Sequence, residues 1–317
     1  MSAAGRWEPE SLRPALADVA QRFAWPLAPD ALTPVATWDS RTARLSRWQG
    51  PHGEPDLVVK QSAEATPRPR QHHERLAWLS EAAARASGEW ACPSPWGWTA
   101  DPPLLCLGFA PGRPLSDAVA QHHPAIDRTT ALRAAGALLG TFHVGWAETG
   151  PSEPAREAAD ALLTQAGIRP RRYANQPAPM RAERYTDFRP SNLLADDASR
   201  VWVIDPPWAR GMDLVHLDLA LFLSDLDAGL QRAPGARRAR RRLRAAFLEG
   251  YLANGPVPAW TRLDGALLAA AEAKAHLTRA HSLRRKRRTR EAVPRAGLAL
   301  AARGRVTLRR DRRGGPR

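Results

Sequence analysis

Between Tyr185 and Leu194 the chain reads YTDFRPSNLL, a stretch that sets a carboxylate, Asp187, five residues ahead of a carboxamide, Asn192. Thirteen residues past Asn192 a second carboxylate, Asp205, ends the apolar run Val201, Val203 and Ile204, which reads as a strand. One loop and one strand end therefore bring three oxygen-bearing side chains toward each other. Carboxylate and amide oxygens are what a hard, octahedral Mg²⁺ accepts, above all when phosphates complete its shell. An aspartate outside that shell, upstream of the amide ligand, can take the proton of an attacking hydroxyl.

The cationic counterpart is Lys60. Only Lys60, Lys274 and Lys286 are lysine among 47 basic residues, so each lysine in this arginine-dominated chain is informative. Lys60 ends PDLVVK, a β-branched run that reads as a strand delivering an ammonium to one face. An ammonium is a compact point charge where guanidinium is a flat fork, so a site shaped around a phosphate oxygen can require lysine. By itself Lys60 is equally well an ordinary strand-end lysine. Fourteen residues later Glu74 opens HHERLAWLSEAAARA, in which Leu76, Leu79 and Ala83 recur at helical spacing. A helix glutamate can pair with a strand lysine, although the macrodipole favours a glutamate at a helix start in any case.

Two further elements must position these groups. The apolar run Leu104 to Phe109 meets the turn signal APGRP and reads as a strand entering a hinge. TTALRAAGALLGTFHVGWAE places Leu132, Leu139 and Phe142 on one face and reads as a core helix, with His143 a satisfied core histidine rather than a ligand.

In chain order, Lys60, Glu74, the D-x-x-x-x-N of YTDFRPSN and the strand-end Asp205 of VIDPP resemble the protein-kinase-like fold, and within it the aminoglycoside phosphotransferase family of small-molecule kinases. Asp218-Leu219-Ala220, Asp205-Pro206 and the later AAFLEGYLANG extend the likeness over residues 30 to 255. The resemblance implies an α+β, bilobal protein-kinase-like fold with a small N-terminal antiparallel-sheet lobe, residues 1–108, and a larger, mainly helical C-terminal lobe, residues 109–280. Residues 281–317 form a basic extension. It also implies ATP and Mg²⁺ as cofactors. Lys60, oriented by Glu74, would hold the α- and β-phosphates; Asn192 and Asp205 would hold the metal; Asp187 would be the base. Adenine would meet the backbone between Leu107 and Ala110, with Leu107 and Phe109 as contact residues. Asp218 either braces the catalytic loop or is a plain helix-start carboxylate. The implied acceptor is a hydroxyl of an aminoglycoside, a sugar or another hydroxylated metabolite.

The chain departs from the family pattern in places. Tyr185-Thr186 stands where His-Gly is usual, and Arg189 either touches phosphate or substrate or closes a structural ion pair. The phosphate-covering segment, TPVATWDSRTARLSRWQGPHGEP, lacks a glycine at its first turn; Ser40 and Arg41 fall at its tip and Thr42 to Trp48 form the returning strand. Pro206 and Pro207 fix φ at two successive positions, so a flip of the metal loop is not expected. The acceptor wall, by family analogy, comes from Glu148 to Glu183 and the helices after Asp218. Its Glu153, Glu157, Asp160, Asp225 and Asp227 stand among many arginines and make no decisive acidic surface.

With 317 residues, 44% of them hydrophobic, the chain can bury one large core or two modest ones. Two cysteines, Cys92 and Cys106, cannot form a disulfide framework, and neither a secretory leader nor a membrane-length apolar run is legible, so the expected location is the cytoplasm. Of the net charge of +15, residues 281–317 carry +12, leaving +3 for the rest. That tail carries the alternative readings: association with nucleic acid or an anionic lipid surface, with nucleic acid the poorer fit because no aromatics interleave the arginines. A pseudokinase or binding module that keeps the fold without turnover is the other alternative.

Overall fold

The computed structural model describes residues 8–39, 43–54, 56–62, 68–86, 88–121, 123–148, 150, 152–205, 211–230, 236–257 and 259–285. The expected loop tip at Ser40 and Arg41, the expected strand start at Thr42, the Pro206-Pro207 pair and the extension beyond residue 285 lie outside the described residues. The chain divides into two compact units, Met1–Pro111 with Trp202–Trp208, and Gly112–Val201 with Ala209–Arg317. The first unit thus takes in the segment that carries Asp205.

The first unit contains α1 (Arg13–Arg22), β1 (Thr33–Asp39), β2 (Ala43–Gln49), β3 (Asp56–Ser62), α2 (Arg68–Arg85), β4 (Trp90–Ala91), β5 (Pro95–Ala100) and β6 (Pro103–Gly108). Five strands form one sheet in the order β1-β2-β3-β6-β5, every neighbouring pair antiparallel. Side chains alternate across a strand. Leu57 and Val59 of β3 therefore point into a core with Trp48, Leu104, Cys106 and, from α1, Leu16 and Val19. Lys60 falls on the other face, in register with Leu105 of β6. Cys92 and Cys106 are free and buried, and burial pushes the Cys106 thiol up to about 12.

The second unit begins with β7 (Arg113–Pro114), α3 (Leu115–Gln121), α4 (Arg128–Gly145), α5 (Glu153–Gln165), β8 (Arg181–Glu183) and β9 (Leu193–Ala195). The chain then passes through β10 (Val201–Val203) and resumes with β11 (Met212–Leu214), α6 (His216–Leu230), α7 (Ala236–Asn254) and α8 (Arg262–Arg285). Among the described residues, no helix is long and apolar enough to cross a membrane. Helix starts are chemically specified. The Asp127 carboxylate accepts from the Thr129 N–H at 2.9 Å to cap α4. Thr261 and Asp264 form a reciprocal capping box before α8, at 3.1 and 2.8 Å.

α6 is buried around most of its circumference, with Leu219, Phe222, Leu223, Leu226 and Leu230 inside, and forms the middle of this unit. α4 and α7 meet backbone to backbone. A Cβ added to Gly136 would lie 2.0 Å from the Phe247 carbonyl oxygen, and one added to Gly250 would lie 2.0 Å from the Arg133 carbonyl oxygen. Neither obstacle is a side chain that can swing aside. Gly136→Ala must push the helices apart and should destabilise the protein by about 3 kcal/mol, the upper range for overpacking. Urea denaturation of the variant beside the parent checks this, with Ala137→Gly as a control for helix propensity alone.

Candidate active site

In the first unit, the Lys60 ammonium contacts Asp205 Oδ1 at 2.6 Å, with side chains 17% and 33% exposed. The strand lysine and the strand-end aspartate expected from the sequence are thus brought together. Glu74 is not brought to them. Its Oε1 accepts from Arg70 Nε at 2.8 Å, one helical turn back, and its side chain is more than half exposed. The reason is rotational: the buried stripe of α2 runs through Leu76, Leu79 and Ala82 and, one turn earlier, through His72, which is 4% exposed. Glu74 stands off that stripe. The expected Lys60–Glu74 pair is therefore corrected to Lys60–Asp205, with His72 the inward residue of that turn.

The hinge segment is also sharper than expected. Leu107 lies inside the sheet, in register with Val58 on one side and Pro95 on the other, and its side chain is buried. The Gly108 N–H donates to the Ser94 carbonyl and the Phe109 N–H to the Asp56 carbonyl, both at 2.8 Å. The Phe109 ring lies under the Arg47 guanidinium, 3.8 Å from its carbon to the ring centroid. The N–H groups of Gly108 and Phe109 are therefore committed to the protein itself. The next amide, that of Ala110, has no protein acceptor among the described residues, although Ala110 is buried. A buried N–H in that state is a donor for a ligand acceptor.

In the second unit the segment 185–192 alternates inward and outward. Tyr185 and Phe188 are buried and stand in a chain of ring contacts from Phe142 of α4 to Phe222 of α6 and Phe247 of α7, with centroid separations of 5.0, 4.9, 5.3 and 4.2 Å. Between these anchors Asp187 projects outward, its side chain 54% exposed. The Asp187 N–H donates to the Tyr185 carbonyl at 2.8 Å, closing a three-residue turn around Thr186, whose φ is 63°. That is the strained form of the turn, in a left-handed region that a β-branched residue occupies only under constraint. It explains why glycine is the usual residue of the resembling family at this place.

Asn192 Nδ2 donates to the Asp187 carbonyl at 2.9 Å and to Asp187 Oδ2 at 3.0 Å. With its nitrogen used twice, the carboxamide turns Oδ1 the other way, where it accepts a long hydrogen bond from the Ser191 hydroxyl at 3.5 Å. An amide oxygen is a ligand that a hard cation such as Mg²⁺ accepts, because Mg²⁺ keeps most of its shell for water and phosphate. Among the described residues no cluster of three His, Cys, Asp or Glu could hold a metal. Arg189 closes an ion pair, donating from Nε to Asp187 Oδ1 at 2.6 Å and from Nη1 to Asp225 Oδ2 at 3.0 Å.

Beneath the loop lies Asp218, fully buried. Its Oδ2 accepts from the Tyr185 N–H at 2.7 Å and its Oδ1 from Arg184 Nε at 2.9 Å. His143 Nε2 stands 3.4 Å away, and His143 Nδ1 stands 3.0 Å from the Tyr251 hydroxyl. Burial alone would raise the Asp218 pKa, but His143, Arg184 and the Tyr185 N–H outweigh it and hold the carboxyl below its ordinary value. Tyr251 is pushed well above its ordinary value, by burial first and then by Asp218 and Asp264. The Tyr251 hydroxyl and His143 Nδ1 share a hydrogen bond, and the other ring nitrogen of His143 faces Asp218. Of the two sequence readings of Asp218, the loop brace is the one realised, and His143 is a satisfied core histidine. Arg184 and Tyr251 carry no sequence signal for these roles, since each acts across the fold.

No protein-family model matches the chain, and no curated protein matches it. Solved structures do share its fold. Choline kinase from Cryptosporidium parvum superposes with a TM-score of 0.55 at 11% identity, covering 93% of this chain and 96% of that one. Plasmodium vivax ethanolamine kinase gives 0.53 at 10% identity, covering 94% and 90%. An aminoglycoside-3'-phosphotransferase of type VIII gives 0.45 at 21% identity, covering 81% and 96%. The chain has the α+β protein-kinase-like fold of such small-molecule kinases, as the sequence led us to expect.

Two measurements probe the loop. Asp218→Asn should lower stability by about 3 kcal/mol, because Arg184 loses its buried partner charge. The parent's stability should likewise fall in acid: a carboxyl depressed by folding stabilises fully above its unfolded pKa, about 4, and loses that contribution as the pH drops through the lower folded value. Urea titrations of both proteins at pH 7 and pH 3 should therefore show the difference shrinking in acid. Thr186→Gly should raise stability by about 1 kcal/mol by relieving the left-handed strain, read as an upward shift in Tm.

Proposed function

We propose that the chain is an ATP-dependent phosphotransferase that moves the γ-phosphate of a nucleotide to a hydroxyl of a small molecule. One observation carries this reading: a carboxylate, Asp187, is held outward between two buried aromatic anchors, with the Asn192 carboxamide fixed to it by two hydrogen bonds. The fold shared with choline kinase and ethanolamine kinase supports it.

In this reading the Lys60 ammonium binds phosphate oxygens of the nucleotide, exchanging its contact with Asp205. The Ala110 amide receives a hydrogen bond acceptor of the base. Asn192 and Asp205 would hold Mg²⁺, which when bound neutralises charge on the phosphates. Asp187 orients the acceptor hydroxyl and accepts its proton as that oxygen attacks phosphorus. Little covalent chemistry is asked of the protein, so the rigidity of the loop, braced through Tyr185 by Asp218, is its main contribution. A second reading, a nucleotide-binding protein without turnover, draws on the two donors already seated on Asp187, Arg189 Nε and Asn192 Nδ2.

An ADP-release screen with Mg-ATP over hydroxylated metabolites separates the two. The kinase reading expects turnover on one compound class and a loss of roughly 10²- to 10⁴-fold in Asp187→Asn, the range for removing a general base. Tight Mg-ATP binding with no turnover on any acceptor would favour the second reading, and an unaffected Asp187→Asn would remove Asp187 from the chemistry.

A further inference from the structure

Helix α7 carries six arginines between positions 237 and 244, and the fold sorts them. Two turn inward: Arg244 reaches buried Asp227 at 3.1 Å and buried Glu272 at 2.5 Å, and Arg240 stands 3.8 Å from the same Asp227. The other four, Arg237, Arg238, Arg241 and Arg242, are exposed. Residues three and four apart share one side of a helix, so these four form a single outward face in two rows, with about 6 Å between successive guanidinium stems of a row. Among the described residues none of the four has an ion-pair partner. The like charge continues onto α4, where Arg128 is held below its ordinary value by burial first and then by Arg242. The Asp127 carboxylate also senses Arg242, but it caps α4 through the Thr129 N–H and the Thr130 hydroxyl, both at 2.9 Å.

Arginine is poorly placed at this end of a helix. The macrodipole puts partial positive charge at the N-terminus, and α7 has no acidic residue in its first turn to meet it. Like charges three and four positions apart add repulsion. An external anion relieves both. We infer that the outward arginine face at the start of α7, continued by Arg128, is a docking surface for the phosphate backbone of a nucleic acid duplex. Guanidinium forks pair with phosphate oxygens two-pronged, and arginines together with helix N-termini hold such a backbone whatever its base sequence. Residues 236–245 contain no aromatic side chain, so the face has nothing on which the splayed bases of a single strand could stack. In a duplex the bases already stack on each other, and phosphate is what the backbone presents. A lipid surface retains a helix through apolar side chains that enter the acyl boundary. Those of α7, Leu243, Phe247 and Tyr251, are buried in the core, and the exposed large apolar residues Val35, Trp38, Val144 and Leu252 lie outside residues 236–245. Docking here needs neither phosphoryl transfer nor the extension 281–317.

The test is fluorescence anisotropy of a labelled DNA duplex of about 20 base pairs, titrated at salt concentrations between about 50 and 200 mM with the full chain and with a variant carrying Arg237→Gln, Arg238→Gln, Arg241→Gln and Arg242→Gln. The expected result is a loss of about tenfold or more in affinity, and a fall of about three in the steepness of log K against log salt, at roughly 0.9 for each phosphate contact removed. A control that makes the exposed Arg85, Arg169, Arg171 and Arg172 glutamine removes the same charge elsewhere and should lose far less. The four substitutions in α7 relieve repulsion, so that variant should melt no lower than the parent. If it does melt lower, Arg238→Gln with Arg242→Gln replaces it, with half the change in steepness. No duplex binding by the parent, equal binding by parent and variant, or an equal loss in the control would overturn the inference. So would a loss of binding to phosphatidylserine vesicles with duplex binding unchanged, which would assign the face to a membrane.

Discussion

A fully buried carboxylate organises the second unit. Asp218 is removed from water, and a lone charge there would be prohibitive; it persists because Arg184, His143 and the Tyr185 N–H each address it. Those partners come from different elements, so satisfying one charge fixes the mutual placement of α4, α6 and the segment leading into Asp187. Tyr251 of α7 completes the set by holding the far side of the His143 ring. The close crossing of α4 and α7 at Gly136 and Gly250 is what lets a histidine on one helix and a tyrosine on the other reach the same interior point.

The outward loop is the complement of that interior. Tyr185 and Phe188 pull its backbone inward, the turn at Thr186 reverses it, and Asp187 is left on the outside with Asn192 and Arg189 as its neighbours. Local strain is tolerated at Thr186 because the surroundings determine the backbone there from both sides. The opening segment's mixture of polar and apolar residues is therefore a record of which residues anchor and which act.

Much of this was legible in the chain because it is local. A lysine on a β-branched run, an aspartate after another, and a D-x-x-x-x-N between apolar positions are short-range patterns; Lys60 lies within β3 rather than at its end, and Asp205 lies two residues beyond β10. Glu74 misled because a helix-start glutamate looks the same whether it faces in or out. The stripe of Leu76 and Leu79, continued one turn back, falls on His72 instead. At the hinge, spacing proposed a segment without singling out an amide. That depends on which N–H groups the neighbouring strands and loops consume, namely those of Gly108 and Phe109. The contact of Arg189 with Asp225, thirty-six residues away on α6, has no local signal, and the partners of Asp218 are likewise distant in sequence. The loop tip at Ser40 and Arg41, Pro206 with Pro207, and the basic extension remain as the sequence alone presents them.

The contact between α4 and α7 has an evolutionary corollary. Two helices whose backbones touch cannot slide or part by small increments, so the platform beneath Asp187 is closed to gradual reshaping. Descendants of this chain can vary most freely in side chains on the outward rim, such as Arg189, while the scaffold is inherited whole. Change at the rim is cheap and change at the crossing is nearly forbidden, which makes this architecture a conservative frame around an adaptable mouth.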